Sequence, residues 1–166
     1  MALEIRPQRF AFALLETPLP PKLVEWGIRA NGVAGRDTDR YARLHSLLKY
    51  FAPNVIAIAG PSKAAAVLNS DLQSVIEGVQ TTLPCSVVML KRNDVRRVLA
   101  ARDAHTRYAS ALLICEYFPE LQRKLPAKRK PWQSERKNLI IFDAMATALT
   151  LLFRDPDSAL FPNTIT

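Results

Sequence analysis

The sequence is poor in the residues that mark several common kinds of protein. Its 166 residues include only two cysteines, Cys85 and Cys115, which stand far apart with no C-x-x-C and no histidine nearby. That argues against a structural zinc site and against a disulfide framework, and it fits a reduced, cytoplasmic protein. Glycine is sparse at five residues, and neither G-x-x-x-x-G-K-[ST] nor G-x-G-x-x-G occurs. The short Gly60-Pro61-Ser62-Lys63 stretch is too rigid to cradle a phosphate, so an ATPase or a dinucleotide enzyme is disfavoured. The two histidines, His45 and His105, have no serine or cysteine nucleophile in a recognisable setting and read as structural. No apolar run is long enough to span a bilayer. The opening MALEIRPQRFAFALL carries Glu4, Arg6 and Arg9 among its apolar residues, so it lacks the apolar core of a signal peptide.

What is present fits one globular domain. Hydrophobic residues make up 49% and charged ones 23%, enough to bury a core. The net charge is +8, split as +2 over the first 90 residues and +6 over the remaining 76, which points to an anionic partner met by the C-terminal half. Between Arg123 and Lys137 lie seven basic residues, Arg123, Lys124, Lys128, Arg129, Lys130, Arg136 and Lys137, against the single acid Glu135. Together with Trp132, these residues suit a surface that neutralises phosphates while an indole stacks on a base or sugar. The alternative is a solvated loop whose tryptophan is anchored in the core. Arg92, Arg96, Arg97 and Arg102 have a similar character, and a solvated helix face explains them equally well.

Hydrophobic periodicity predicts strands over 2–6, 9–16 and 22–28, with Pro7 and then Pro18, Pro20 and Pro21 breaking the chain between them. Helical spacing of Tyr41, Leu44, Leu47, Leu48 and Phe51 follows, stopped by Pro53. NVIAIAG is continuously apolar, as a strand covered on both faces must be, and belongs near the middle of the sheet. A helix over 62–80, a strand over 85–90 and helices over 93–102, 105–121 and 134–153 complete the order, with the last two joined by the basic stretch. Residues 1–153 form the expected domain and 154–166 a tail.

Three strands, a helix, a strand, a helix, a strand and closing helices resemble the RNase H-like fold, an α/β domain with a mixed five-stranded sheet. Two segments sharpen the likeness. ALEIRPQRFAFALLE is similar to the opening hairpin of RuvC-type Holliday-junction resolvases, with Ala11-Phe12-Ala13-Leu14-Leu15 as the return strand, and FDAMATALT resembles that family's closing helix. The resemblance implies an endonuclease acting on branched DNA as a homodimer, with Mg²⁺ or Mn²⁺ held by acids. It places Glu4 and Asp143 at two of the family's ligand positions. A third falls on Ala59 and a fourth on Ile140, neither of which ligates. Two-metal cleavage needs carboxylates that hold cations about 3.5–4 Å apart, so the set is incomplete. Glu135, eight residues before Asp143 and rotated by about 80° on an ideal helix, is a candidate substitute.

Three functions follow: a metal-dependent endonuclease using Glu4, Asp143 and Glu135; a binding module with the same fold and basic surface that no longer cuts; or a scaffold unrelated to nucleic acid. Asp143 interrupts an apolar helix surface, so it needs either a cation or an ion pair to an arginine of the sheet such as Arg6 or Arg9. Glu4 is either a ligand or an outward residue of an alternating strand.

Overall fold

The computed structural model describes residues 1–6, 8–17, 20–30, 42–60, 76–128 and 138–154. The strands are β1 (Ala2–Arg6), β2 (Arg9–Glu16), β3 (Lys22–Ala30), β4 (Val55–Ala59) and β5 (Ser86–Leu90). The helices are α1 (Ala42–Phe51), α2 (Arg92–Ala100), α3 (Arg107–Tyr117) and α4 (Leu139–Arg154), with a 3₁₀ segment at Pro119–Lys124 and further helical turns at 76–82. The expected three opening strands are all present, and β3 runs two residues longer than the sequence pattern suggests. Pro119 divides the expected 105–121 helix, because a proline ring cannot continue the hydrogen-bond ladder of α3 and starts the 3₁₀ turn instead.

The sheet order is β3-β2-β1-β4-β5, with the three N-terminal strands antiparallel and β4 parallel to both β1 and β5. This is the mixed five-stranded α/β sheet expected from the sequence. The period of two assigns each strand's residues to one face or the other. Leu3, Phe10, Phe12, Ile56 and Ile58 pack with Leu44 and Leu48 of α1 on one face. On the other, Ala11, Ala13 and Leu90 meet α2, α3 and α4.

That second face is lined with small residues where α4 crosses it. Ala2 of β1 and Ala57 of β4 are opposite each other in register and form a buried cluster with Ala148. Ala144 is also fully buried. With methyl groups on both sides, the helix backbone can lie close to the sheet. Thr147 and Thr150 are buried there too, each hydroxyl donating to the carbonyl four residues earlier, Asp143 and Ala146, so neither is left without a partner.

At the end of α1, Ala52 takes a positive φ of 41° just before Pro53, and its N–H donates to the Leu48 carbonyl at 2.9 Å. A left-handed residue ahead of a proline is a usual way to close a helix, and glycine occupies it without strain. Ala52→Gly is therefore expected to stabilise the domain by about 1 kcal/mol in urea unfolding; a loss of stability would contradict this account of the turn.

Candidate functional site

The parallel strands β1, β4 and β5 end side by side, and in open α/β sheets the crevice beyond such strand ends is where ligands sit. Here the crevice is a cavity of about 360 Å³. Glu4 and Arg6 enter it from β1, two residues apart and so on one face; Ala59 closes β4 beneath it; Arg92 and Arg96 come from α2, Arg107 from α3 and Asp143 from α4. The structure thus brings Glu4 and Asp143, both singled out in the sequence, into one cavity.

Glu4 is 1% exposed. The outward reading of this residue fails for a simple reason: alternation sends Leu3 and Ile5 toward α1, and the other face, which Glu4 shares with its cross-strand partner Ala11, is covered by α4. A buried carboxylate needs compensation. Arg92 donates from a terminal guanidinium nitrogen to Glu4 Oε1 at 2.7 Å, and Arg6 Nε lies 2.8 Å from the same oxygen, an ionic contact whose N–H is not aligned for a hydrogen bond. The second oxygen, Glu4 Oε2, is buried with no hydrogen-bond partner among the described residues.

Asp143 is held in the same way. Arg6 reaches it at 3.2 Å, and Arg107 grips it with two donors, Nε to Oδ1 at 3.1 Å and a terminal nitrogen to Oδ2. This two-pronged contact is the geometry a planar guanidinium makes with a carboxylate. Of the two arginines that the sequence offered as partners for Asp143, Arg6 is the one that binds it. Arg6 touches both carboxylates and so joins β1 to α4.

Two of these arginines were not identifiable as site residues from the sequence. Arg92 reads equally as part of a phosphate-neutralising surface or of a solvated helix face, yet its Nε donates to the Gly60 carbonyl at 3.0 Å while its fork reaches Glu4. Gly60 lies so close to β5 that its N–H donates to the Leu90 carbonyl at 2.6 Å and an added Cβ would stand 3.2 Å from that oxygen. The signal for Arg92 was its place two residues after β5, at a parallel strand end. Arg107 gave a weaker signal, as the first residue of a helix whose N-cap, Thr106, accepts a hydrogen bond from the Ala109 N–H. Of the other basic residues of α2, Arg97 does match a solvated face, where it pairs with Asp94. His105 lines the cavity rim, 4.0 Å from the exposed Asp103. Burial pushes the Cys115 thiol above its ordinary pKa, which keeps it protonated and a poor nucleophile.

Ala59 and Ile140, the positions where the resemblance places further ligands, are both buried. No group of three or more histidine, cysteine, aspartate or glutamate side chains suited to a metal occurs among the described residues. Of the basic stretch, Arg123, Lys124 and Lys128 are exposed, and Lys124 Nζ lies 5.6 Å from the ring centroid of Trp26 on β3. Glu135, Arg129, Lys130, Trp132, Arg136 and Lys137 lie outside the described residues, as does the tail beyond residue 154. No helix among the described residues is long and apolar enough to cross a membrane.

These features define an α/β domain whose crevice is lined by arginines that clasp two carboxylates. Comparison with solved structures places the fold. The chain is similar to RuvC of Thermus thermophilus, both alone and in complex with a Holliday junction substrate, each with a TM-score of 0.64 and 14% identity. The match covers 90% of this chain and 89% of the RuvC chain in the junction complex. The fold is therefore RNase H-like. No protein-family model and no curated protein matches the sequence.

Proposed function

We propose that this protein binds nucleic acid through a RuvC-type scaffold and does not cut it, the crevice being an arginine cage. One observation carries the reading: Arg6 and Arg92 share Glu4 Oε1, and Arg6 and Arg107 hold both oxygens of Asp143, so three of the four carboxylate oxygens that cations would need already face guanidiniums. The described residues that could hold Mg²⁺ or Mn²⁺ are Glu4 and Asp143, and this pair does not fit such an ion. A divalent ion bound there would face three guanidiniums and would compete with them for Asp143 and for Glu4 Oε1. The position matched to a central-strand acid is the methyl group of Ala59. The endonuclease reading requires that whole ion-pair network to rearrange.

Nucleic acid as the partner is supported by the net charge of +8, by its concentration in the C-terminal half and by exposed Arg123, Lys124 and Lys128. The similar RuvC chain in complex with a Holliday junction makes branched DNA the first substrate to try. Labelled four-way junction, duplex and single-stranded DNA, each with Mg²⁺, with Mn²⁺ and with EDTA, test both halves of the proposal. Binding that weakens with salt, ignores EDTA and leaves the strands intact is expected. Metal-dependent cleavage that Asp143→Asn abolishes without unfolding the protein would overturn the binding-module reading in favour of the nuclease. Absence of any salt-dependent binding would leave a scaffold unrelated to nucleic acid.

A further inference from the structure

The same crevice has more positive charge than its own acids use. Among the described residues, four guanidiniums, those of Arg6, Arg92, Arg96 and Arg107, line it against two carboxylates, an excess of two positive charges. Arg96 stands one helical turn after Arg92 on α2, is exposed, and has no ion pair among the described residues. The helices α2 and α3 both begin at the cavity, with Arg92 and Arg107 as their first residues, so the positive ends of two helix dipoles face the same space. The N-cap of α2, Lys91, gives its first turn no side-chain hydrogen bond. An excess of two charges matches a phosphate monoester, which carries close to two negative charges at neutral pH, better than the single charge of a backbone diester.

Volume and chemistry narrow the ligand further. A lone phosphate leaves most of a 360 Å³ cavity empty, and the lining also includes the apolar side chains of Val95, Leu99, Ala104 and Phe142. Glu4 Oε2 adds a buried acceptor with no donor among the described residues, which a hydroxyl beside the phosphate would satisfy. We infer that the crevice binds a phosphate monoester on a sugar, as found at the phosphorylated end of a nucleic-acid strand or on a free mononucleotide, with Arg92 and Arg96 meeting the phosphate and Glu4 the sugar hydroxyl. The inference rests on the proposed nucleic-acid function only for the source of that phosphate.

The test compares a short single-stranded oligonucleotide bearing a 5′-phosphate with the same strand ending in a 5′-hydroxyl, by fluorescence anisotropy, and adds AMP and adenosine as competitors. The phosphorylated strand is expected to bind about tenfold more tightly, since one well-made set of charge-assisted hydrogen bonds is worth roughly that factor. AMP should displace it where adenosine does not. Removing Arg92 exposes buried Glu4 and endangers folding, so Arg96→Ala on the rim is the informative variant: it should cost about fivefold in AMP affinity at unchanged thermal stability. Lys49→Ala, on α1 at the opposite face of the sheet, should leave AMP binding unchanged. Displacement by AMP together with a preference for the phosphorylated end assigns the pocket to strand ends; displacement by AMP without that preference assigns it to free nucleotides. Equal binding of both strands and no competition by AMP would overturn the inference while leaving salt-dependent DNA binding, and the proposed function, intact. AMP binding without affinity for any DNA would overturn the proposed function and keep the pocket.

Discussion

Arg92→Met should destabilise the domain by about 3 kcal/mol in urea unfolding, although Arg92 lies on a helix that the sequence presents as a surface. The change removes one of two cations from a carboxylate that is 1% exposed, and breaking one side of a buried ion pair typically costs several kcal/mol. Arg6 remains beside Glu4, which keeps the loss below the full penalty. The mechanism also predicts coupling. Glu4→Gln in the Arg92→Met background should recover part of the loss, because a neutral amide no longer leaves a charge buried with too little compensation. Loss of less than about 0.5 kcal/mol in the single variant, or strict additivity in the double, would show that Glu4 does not depend on Arg92.

The second large effect comes from the methyl groups that let α4 approach the sheet. Ala57 faces Ala148 at 1% exposure, with Ala2 beside it. Ala57→Leu inserts three carbons where helix and strand already touch, which should cost about 3 kcal/mol, at the upper end of overpacking effects. It should also lift the helix carrying Asp143 and loosen the contacts Asp143 makes with Arg6 and Arg107. Ile58→Val, on the opposite face of the same strand, makes the comparison: about 1 kcal/mol of lost packing with the crevice untouched. Equal losses in both variants, or none for Ala57→Leu, would contradict the role assigned to the small-residue interface.

The sequence was legible where a single rule governed the structure. Prolines at 7, 18, 20 and 21 separate the opening strands, and continuous apolarity marks β4 as a covered strand inside the sheet, which is where it lies. The pairing of Glu4 with Asp143 was accessible only through the resemblance to RuvC-type resolvases. Burial of Glu4 was not readable, because strict alternation gives it a face but does not say what covers that face. The arginine cage was harder still. Arg92 and Arg107 come to the crevice from separate helices, 15 residues apart in sequence, and each has the local setting of an ordinary basic surface residue. Only the assembled sheet end shows that Gly60 directs Arg92 inward and that Arg107 meets a carboxylate 36 residues further along the chain.

The central claim, that guanidiniums serve these two carboxylates in place of divalent ions, is tested most directly by titrating the purified protein with Mn²⁺ and following the paramagnetic resonance of the free ion. The account predicts that the signal rises with added Mn²⁺ as it does in buffer, for the wild type and for Asp143→Asn alike. Stoichiometric loss of the free-ion signal in the wild type, abolished by Asp143→Asn, would contradict it and would make the crevice a metal centre.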